Sequence, residues 1–585
     1  MIIKHNLLKK QKARKTSSLV DIDIYHWAEE LYDELEKQGV IQRMKDTNQL
    51  GVIRVAKHLT KSRYDYMLLQ LYFHQLIRKD TALQSSLEYT YGSYVRASEF
   101  HRELDYIDKQ KITVGDLLQI LTISYNIGHF YNTFVSSKAA VTFAGINPDF
   151  KRTIVESFDR TDGQSLAQHI LEEKSYLRYH LLNSLFILER CDQSKTSVRL
   201  AQDLIYTYVN EKSLAPDSKL RYVLRLYRNV RNIAFLSYDF QIAPTPITID
   251  LCDSQSILLL FHELLSIYND NSSTRRLLNS MNKLLNDTVY NEESNTICYQ
   301  MITDRMVSEL RQVSTWDKDI YYSMMGSKES IFNRDYAQSR RYVSEGFLKL
   351  TFRKEHREIS RALFSRLNHM QYVRVGYYDR NSGEQTIVVS LSNQCKKKTQ
   401  VAFRVLGVVT NLLRTVPDIM NNDPRYLLTT KFYLFYLCGQ RQIHIKPTVS
   451  SQNCVLCTKG KSQRILSINK VLRENEGDED QIHEVEHLRW VLQKDTKNDV
   501  CITLPSSILV CGNGNEDKTF CEFDGMIIYP NRTSNQTVFL EAKNTKVKPT
   551  YGKKCLIDKL RKLNIQFEEE DIEINKKDAM LFWSV

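Results

Sequence analysis

The sequence predicts a multidomain protein with a mostly α-helical N-terminal half, an α+β middle module and a C-terminal α/β domain. Three observations carry this expectation. The chain has 585 residues, enough for two to four cores. Apolar residues recur with helical period from Asp21 to about Ser308. Beyond residue 370 the period shortens to alternation, and near the end a strand–turn–strand stretch is followed by one more helix and one more strand. The expected segments are 1–20, a basic N-terminal arm; 21–308, a helical domain; 309–472, the α+β module; and 473–585, the terminal α/β domain.

Composition narrows the functional classes. Gly and Pro are sparse at 19 and 10, which favours long helices. The formal charge is +12, which suits a polyanionic partner without naming one. Eleven scattered cysteines point to a reduced, cytoplasmic setting instead of a disulfide framework. The most apolar stretch, "SILLLFHELLSIY", is interrupted by His262 and Glu263 and is too short to span a bilayer, so no membrane association is expected. An oligomer is compatible with this composition.

The arm contains Lys9, Lys10, Lys12, Arg14 and Lys15, a run that reads equally as a solvated tail or a nucleic-acid contact. The helical half begins with "IYHWAEELYDELEKQGV", amphipathic with Gly39 as its stop, and shows no fixed repeat.

Three of its segments, "SRYDYMLLQLYFHQL", "LLQILTISYNIGHFYNTF" and "VRNIAFLSYDFQIA", resemble in their order an HD-domain phosphohydrolase. The resemblance implies a helical metal centre, but Tyr66 stands at the first histidine position and Tyr125-Asn126 in place of His-Asp. Only Asp239 keeps a ligand-type side chain, and tyrosine and asparagine cannot replace the usual imidazole and carboxylate set. The implied state is an HD-like fold with a dead metal centre, serving as a scaffold or as a sensor with a nucleotide ligand or protein partner. A plain helical domain is the other reading.

In the middle module, "MQYVRVGYYDRNSGEQTIVVSLS" alternates around Asn381-Ser382-Gly383 and predicts a β-hairpin. "KKKTQVAFRVLGVVTNLLRTV" predicts a buried helix ended by Pro417. Cys454 and Cys457 form a CxxC for which Cys438 and His444 would have to complete a zinc site; the spacing fits no common pattern and the expectation is no zinc. "RENEGDEDQ" is an acidic linker.

The terminal domain is organised around "KTFCEFDGMIIYP", "NRTSNQ" and "TVFLEAKNTK". The first and last runs read as strands and the middle as turn chemistry. With the turn near Thr533, Asp524 falls opposite Ala542 within a residue. Glu541 and Lys543 then share one face while Val538, Leu540 and Ala542 share the other. Two carboxylates and a lysine on a mostly apolar hairpin are costly neighbours unless they hold a cation; the competing reading is an ordinary solvated hairpin.

Asp524 followed by Glu541-Ala542-Lys543 resembles the PD-(D/E)XK nuclease superfamily, with Phe523 where the family's proline would stand. The resemblance covers residues 481–585 and implies a restriction-endonuclease-like α-β-β-β-α-β core. Its elements would be "QIHEVEHLRWVLQK", "DVCITLPSSILVCG", the hairpin, "YGKKCLIDKLRKLNI" and "DAMLFWSV". It further implies Mg²⁺ or Mn²⁺ held by Asp524, Glu541 and the carbonyl of Ala542, with Lys543 beside the attacking water. A helix glutamate is a further family feature; Glu484 is preferred over Glu486 because it borders the wider apolar arc. Lys546, Lys548, Lys553, Lys554 and Lys559 offer contacts to nucleic-acid phosphates, DNA being the expected partner.

The expected function is therefore a metal-dependent nuclease hydrolysing phosphodiester bonds in DNA, in restriction or antiphage defence, with the helical half regulating or targeting it. The alternative is a nucleotide-sensing HD-like regulator whose terminal domain only binds nucleic acid. A phosphohydrolase using the helical half is disfavoured by the missing His-Asp pair.

Overall fold

The computed structural model describes residues 1–585 other than 8–18, 54–60, 101–108, 241–252, 266–271, 337–338, 380–382, 417–418, 420–422, 447–454, 475–478, 496–498, 513–514, 534–535, 544–548, 576–579 and 585. The chain forms two compact units, one of residues 1–295 and 299–339, the other of residues 296–298 and 340–585. The first is helical and the second α/β. The segments 309–472 and 473–585, read separately from sequence, do not form separate units. Residues 340–585 pack into one, because Leu350, Phe403 and Tyr433 share a core with Ile502, Phe523 and Leu560. Among the described residues, no helix is long and apolar enough to cross a membrane.

In the helical unit, the ends of the expected arm are structured. Strand β1 (Ile2–Asn6) pairs antiparallel with β2 (Leu19–Asp23), and Ile22 is fully buried. The basic run between them lies outside the described residues. Three helices carry residues of the HD resemblance, and two of them begin where the sequence supplies a capping box. The Ser62 hydroxyl accepts the Asp65 N–H at 3.0 Å while the Asp65 carboxylate accepts the Ser62 N–H at 2.8 Å, starting the helix Arg63–Lys79. Thr113 and Asp116 do the same for the helix Val114–Asn126.

Among the described residues, the second unit holds three antiparallel sheets. Strands β3 (Leu348–Phe352), β4 (Val373–Asp379) and β5 (Gln385–Leu391) form the first, in the order β3–β5–β4. The pairing Asp379↔Gln385 closes the expected hairpin. The helix Lys398–Leu413 buries Val401, Leu406 and Val409. Its expected stop, Pro417, lies outside the described residues, as does Cys454. Cys457 is buried in β7 (Leu456–Lys459), where burial pushes its thiol up to about 12, away from a metal-ready thiolate. Cys438 is buried, and His444 is exposed on β6 (Ile443–Ile445).

The stretch read as one strand, 499–512, is two: β8 (Val500–Leu504) and β9 (Ile508–Gly512). Pro505 offers no N–H to a ladder, so the chain breaks there and changes sheets. The second sheet has the order β10–β9–β6, with β10 spanning Asn515–Phe523. The largest sheet adds β11 (Gly525–Ile528), β12 (Thr537–Ala542), β13 (Ile572–Asn575) and β14 (Met580–Ser584), in the order β13–β14–β12–β11–β8–β7. Every neighbouring pair is antiparallel.

One face of this sheet carries Ile527, Val538 and Leu540 against Val485, Leu488 and Leu492 of the helix Glu479–Lys494. The opposite face carries Met526, Ile528 and Phe539 in a core with Leu556 and Leu560 of the helix Pro549–Lys562. Period-2 alternation on the strands thus gives each helix its own side.

Candidate active site

Asp524 occupies the bend where the chain leaves β10 for β11 and so passes from one sheet to another. The hairpin register is Gly525↔Leu540, Met526↔Phe539, Ile527↔Val538 and Ile528↔Thr537. Asp524 therefore continues the ladder beside Glu541. Its N–H donates to the Leu540 carbonyl at 3.1 Å, and its Oδ2 accepts the Ala542 N–H at 2.7 Å. The carboxylate is pinned to the end of β12 by the backbone of the strand that carries the other site residues.

Glu541 follows Phe539 by two positions and shares its face, so its side chain enters the core side of the sheet, where it is 1% exposed. Lys543 Nζ lies 2.6 Å from Glu541 Oε1 and 3.8 Å from Asp524 Oδ2. Lys559, from the helix Pro549–Lys562, donates to Glu541 Oε2. The buried carboxylate is thus held by two ammonium groups, the arrangement that makes such burial tolerable.

Burial pushes the Asp524 carboxyl up to about 6, with Glu541 adding to the rise. Lys559, Lys543 and the Ala542 N–H act against it. Burial also opposes the charge on Lys543, but Asp524 and Glu541 outweigh it and hold the ammonium above the usual lysine range. His483 Nε2 donates to the Lys543 carbonyl at 3.0 Å, tying the end of β12 to the helix Glu479–Lys494.

The remaining expected residues do not all reach the site. Glu484 is half-buried on that helix and Glu486 is exposed. Among the described residues no three His, Cys, Asp or Glu side chains stand close enough to hold a metal, so Glu484 does not complete a set with Asp524 and Glu541. The helix packs on the sheet face opposite Glu541, which is the physical reason. Lys553 donates to the Glu569 carbonyl at 2.8 Å, and Lys554 is exposed. Lys559 points at Glu541 instead of outward, and Lys546 and Lys548 lie outside the described residues. The sequence did hold a sign of the Lys559 contact: this lysine is three residues after Leu556 and four before Leu563, both buried, so it sits on the apolar stripe of its helix.

The donors available to a cation are therefore two carboxylates and the Ala542 carbonyl, all hard oxygens. Asp524 and Glu541 are already balanced in charge by Lys543 and Lys559. A cation at Glu541 would compete with Lys543 at Oε1 and with Lys559 at Oε2.

In the helical unit, the four positions of the HD resemblance are buried. Tyr66 donates to the Arg231 carbonyl at 3.1 Å, and the Tyr125 hydroxyl accepts from the Arg231 guanidinium. Asn126 bonds back to Thr122 on its own helix at 3.0 Å. Asp239 accepts from Tyr290, and burial pushes its carboxyl up to about 7. Gly128 permits a close approach here, since a Cβ would stand 1.9 Å from the His180 carbonyl. His129 accordingly stacks on His180 at 4.2 Å. Burial keeps both imidazoles neutral, His180 falling to about 3.

No protein-family model, curated protein or solved structure matches the chain.

Proposed function

We propose that the C-terminal α/β unit is a metal-dependent nuclease of the PD-(D/E)XK type acting on DNA, with the helical half regulating or targeting it. The observation that carries this reading is the convergence of Asp524, Glu541 and Lys543 at one end of the β11–β12 hairpin, with Lys543 Nζ 2.6 Å and 3.8 Å from the two carboxylates. Restriction or antiphage defence is the proposed setting, by analogy with the combination of a nuclease and a helical partner domain.

Asp524 and Glu541 would hold Mg²⁺ or Mn²⁺ together with the Ala542 carbonyl. When bound, the ion supplies Lewis acidity at the phosphate and lowers the pKa of a coordinated water. Lys543 orients the attacking water and stabilises the charge that develops on it. Asp524 must be ionised to serve, which its raised pKa makes conditional on pH. The exposed Lys554 offers a phosphate contact on the same helix as Lys559.

A second reading is favoured by one observation: Lys543 and Lys559 already balance the charge of the two carboxylates. On that reading the terminal unit binds nucleic acid without cutting it. Incubation of the full-length protein with linear and supercoiled DNA, in Mg²⁺ or Mn²⁺ and then in chelator, separates the two. Chelator-sensitive cleavage that disappears in Asp524→Asn supports the nuclease; DNA retention with metal-indifferent, cleavage-free behaviour, and no Mn²⁺ bound, supports the binding module.

A further inference from the structure

The helical unit contains a cavity of about 1200 Å³ between the helices Thr196–Val209 and Lys219–Asp239 and the segment around Arg178. Its volume exceeds the usual range for a drug-sized ligand. Counting Arg and Lys against Asp and Glu, its wall carries five cations and four carboxylates, a net charge of +1. The carboxylates are engaged: Asp162 and Asp203 share Arg160 at 3.3 and 3.0 Å, Glu211 pairs with Arg228, and Glu173 lies 3.3 Å from His169. Three of the cations make no ion pair with them. Arg178 and Lys212 are exposed and have no carboxylate partner, and Arg231 has none either among the described residues.

Arg231 is the informative one. Its guanidinium is seated by neutral groups: it donates to the Tyr125 hydroxyl, lies 3.5 Å from the Tyr208 hydroxyl and sits 4.9 Å over the Tyr125 ring. A guanidinium has five N–H donors in a rigid fork, and these contacts use only one nitrogen. Placing a half-buried arginine on phenols instead of a carboxylate leaves its charge uncompensated and its geometry fixed. That arrangement awaits an anion. Tyr208, half-exposed at the wall, presents an aromatic ring beside it, and Tyr206 contributes a buried hydroxyl with no hydrogen-bond partner.

We propose that this cavity binds a nucleoside phosphate, with its phosphates on Arg231, Arg178 and Lys212 and its base against the Tyr208 side of the wall. A bidentate fork is the geometry that fits a phosphate. A flat aromatic partner accounts for a cavity larger than a phosphate alone would need. The inference does not rest on nuclease activity in the other unit.

Calorimetric titration of the full-length protein with ATP, GTP, CTP and UTP, without divalent ions so that the terminal carboxylates stay silent, tests it. The matching nucleosides and inorganic phosphate are titrated in parallel. At least one triphosphate saturates one site per chain, and its nucleoside and inorganic phosphate each bind more than about tenfold more weakly. The surface pair Arg178→Glu and Lys212→Glu, which leaves the core untouched, weakens binding by about tenfold or more. Arg231→Lys keeps the charge but loses the fork and weakens it by about ten- to a hundredfold. Failure of all four triphosphates to saturate folded wild-type protein overturns the proposal, as does undiminished binding in the surface pair. Saturation by a single-stranded oligonucleotide in place of the mononucleotides, lost in the same variants, overturns it in favour of strand recognition.

Discussion

Lys559 forms an ion pair with Glu541 from the helix that covers the sheet, and Glu541 itself is 1% exposed. The ammonium occupies one of the two carboxylate oxygens that a metal ion could use. Lys559→Met should therefore tighten Mn²⁺ binding by about three- to tenfold, since a competing positive charge is removed at contact distance. Without metal the same variant should unfold at lower urea, by about 1–3 kcal/mol, because a buried carboxylate loses a partner. If DNA affinity falls while Mn²⁺ affinity is unchanged, Lys559 is a phosphate contact and not a competitor.

The roles of Asp524 and Lys543 separate by what each contributes. Asp524→Asn should lose Mn²⁺ binding and cleavage together, because an amide is a poor ligand for a hard cation. Lys543→Ala should keep the ion while single-turnover cleavage falls by about two to four orders of magnitude, the scale of a positioned catalytic group. Calorimetry for Mn²⁺ beside rapid-quench kinetics measures the two effects. Wild-type cleavage by Lys543→Ala would sink the assignment of its role.

Asp524 also predicts a pH dependence. Its folded pKa of about 6 lies above the ordinary aspartate value of 3.8, so between these values the folded state binds more protons than the unfolded one. Stability attributable to this group therefore falls as pH rises from about 4 to 6 and stays low above it. Asp524→Asn should be more stable than wild type at pH 7.5 by about 1–3 kcal/mol without metal, and the difference should vanish below about pH 4. Urea titrations at the two pH values decide this; a gap that grows on acidification contradicts it.

The histidines of the helical unit act with the opposite sign. Burial lowers His5 to about 4, and His74 and His180 to about 3, from 6.5. Below pH 6.5 the unfolded chain takes up protons that the folded one refuses, so their contribution to stability is present above that pH and is lost as pH falls towards 3–4. At pH 5 each should cost about 1–2 kcal/mol, which would appear as a sharp fall in Tm between pH 7 and 5. A flat Tm over that interval would show that these rings are protonated in place.

Asp239 lies in the helical unit, hydrogen-bonded by Tyr290 and remote in chemistry from the hairpin carboxylates. Asp239→Asn should leave metal-dependent cleavage by the terminal unit within about twofold of wild type. Any effect should appear in stability. A nucleotide-hydrolysing activity that disappears in folded Asp239→Asn would instead assign phosphohydrolase chemistry to the helical half.

What the sequence by itself determined is local. The shift from helical to alternating period located the helical half and the α/β half, and period-2 alternation put Glu541 and Lys543 on one face with Asp524 within a residue of its observed place. Each depends on residues near one another in the chain, where side-chain direction follows from backbone geometry. What only the tertiary structure decided is long-range. Pro505 sends β8 and β9 to different sheets, residues 340–585 share one core, Lys559 crosses from its helix to Glu541, and Arg231 finds Tyr125 more than a hundred residues away instead of a carboxylate. Such pairings follow from how whole faces are buried together, and charge neutralisation inside a core has no periodicity for a sequence to display.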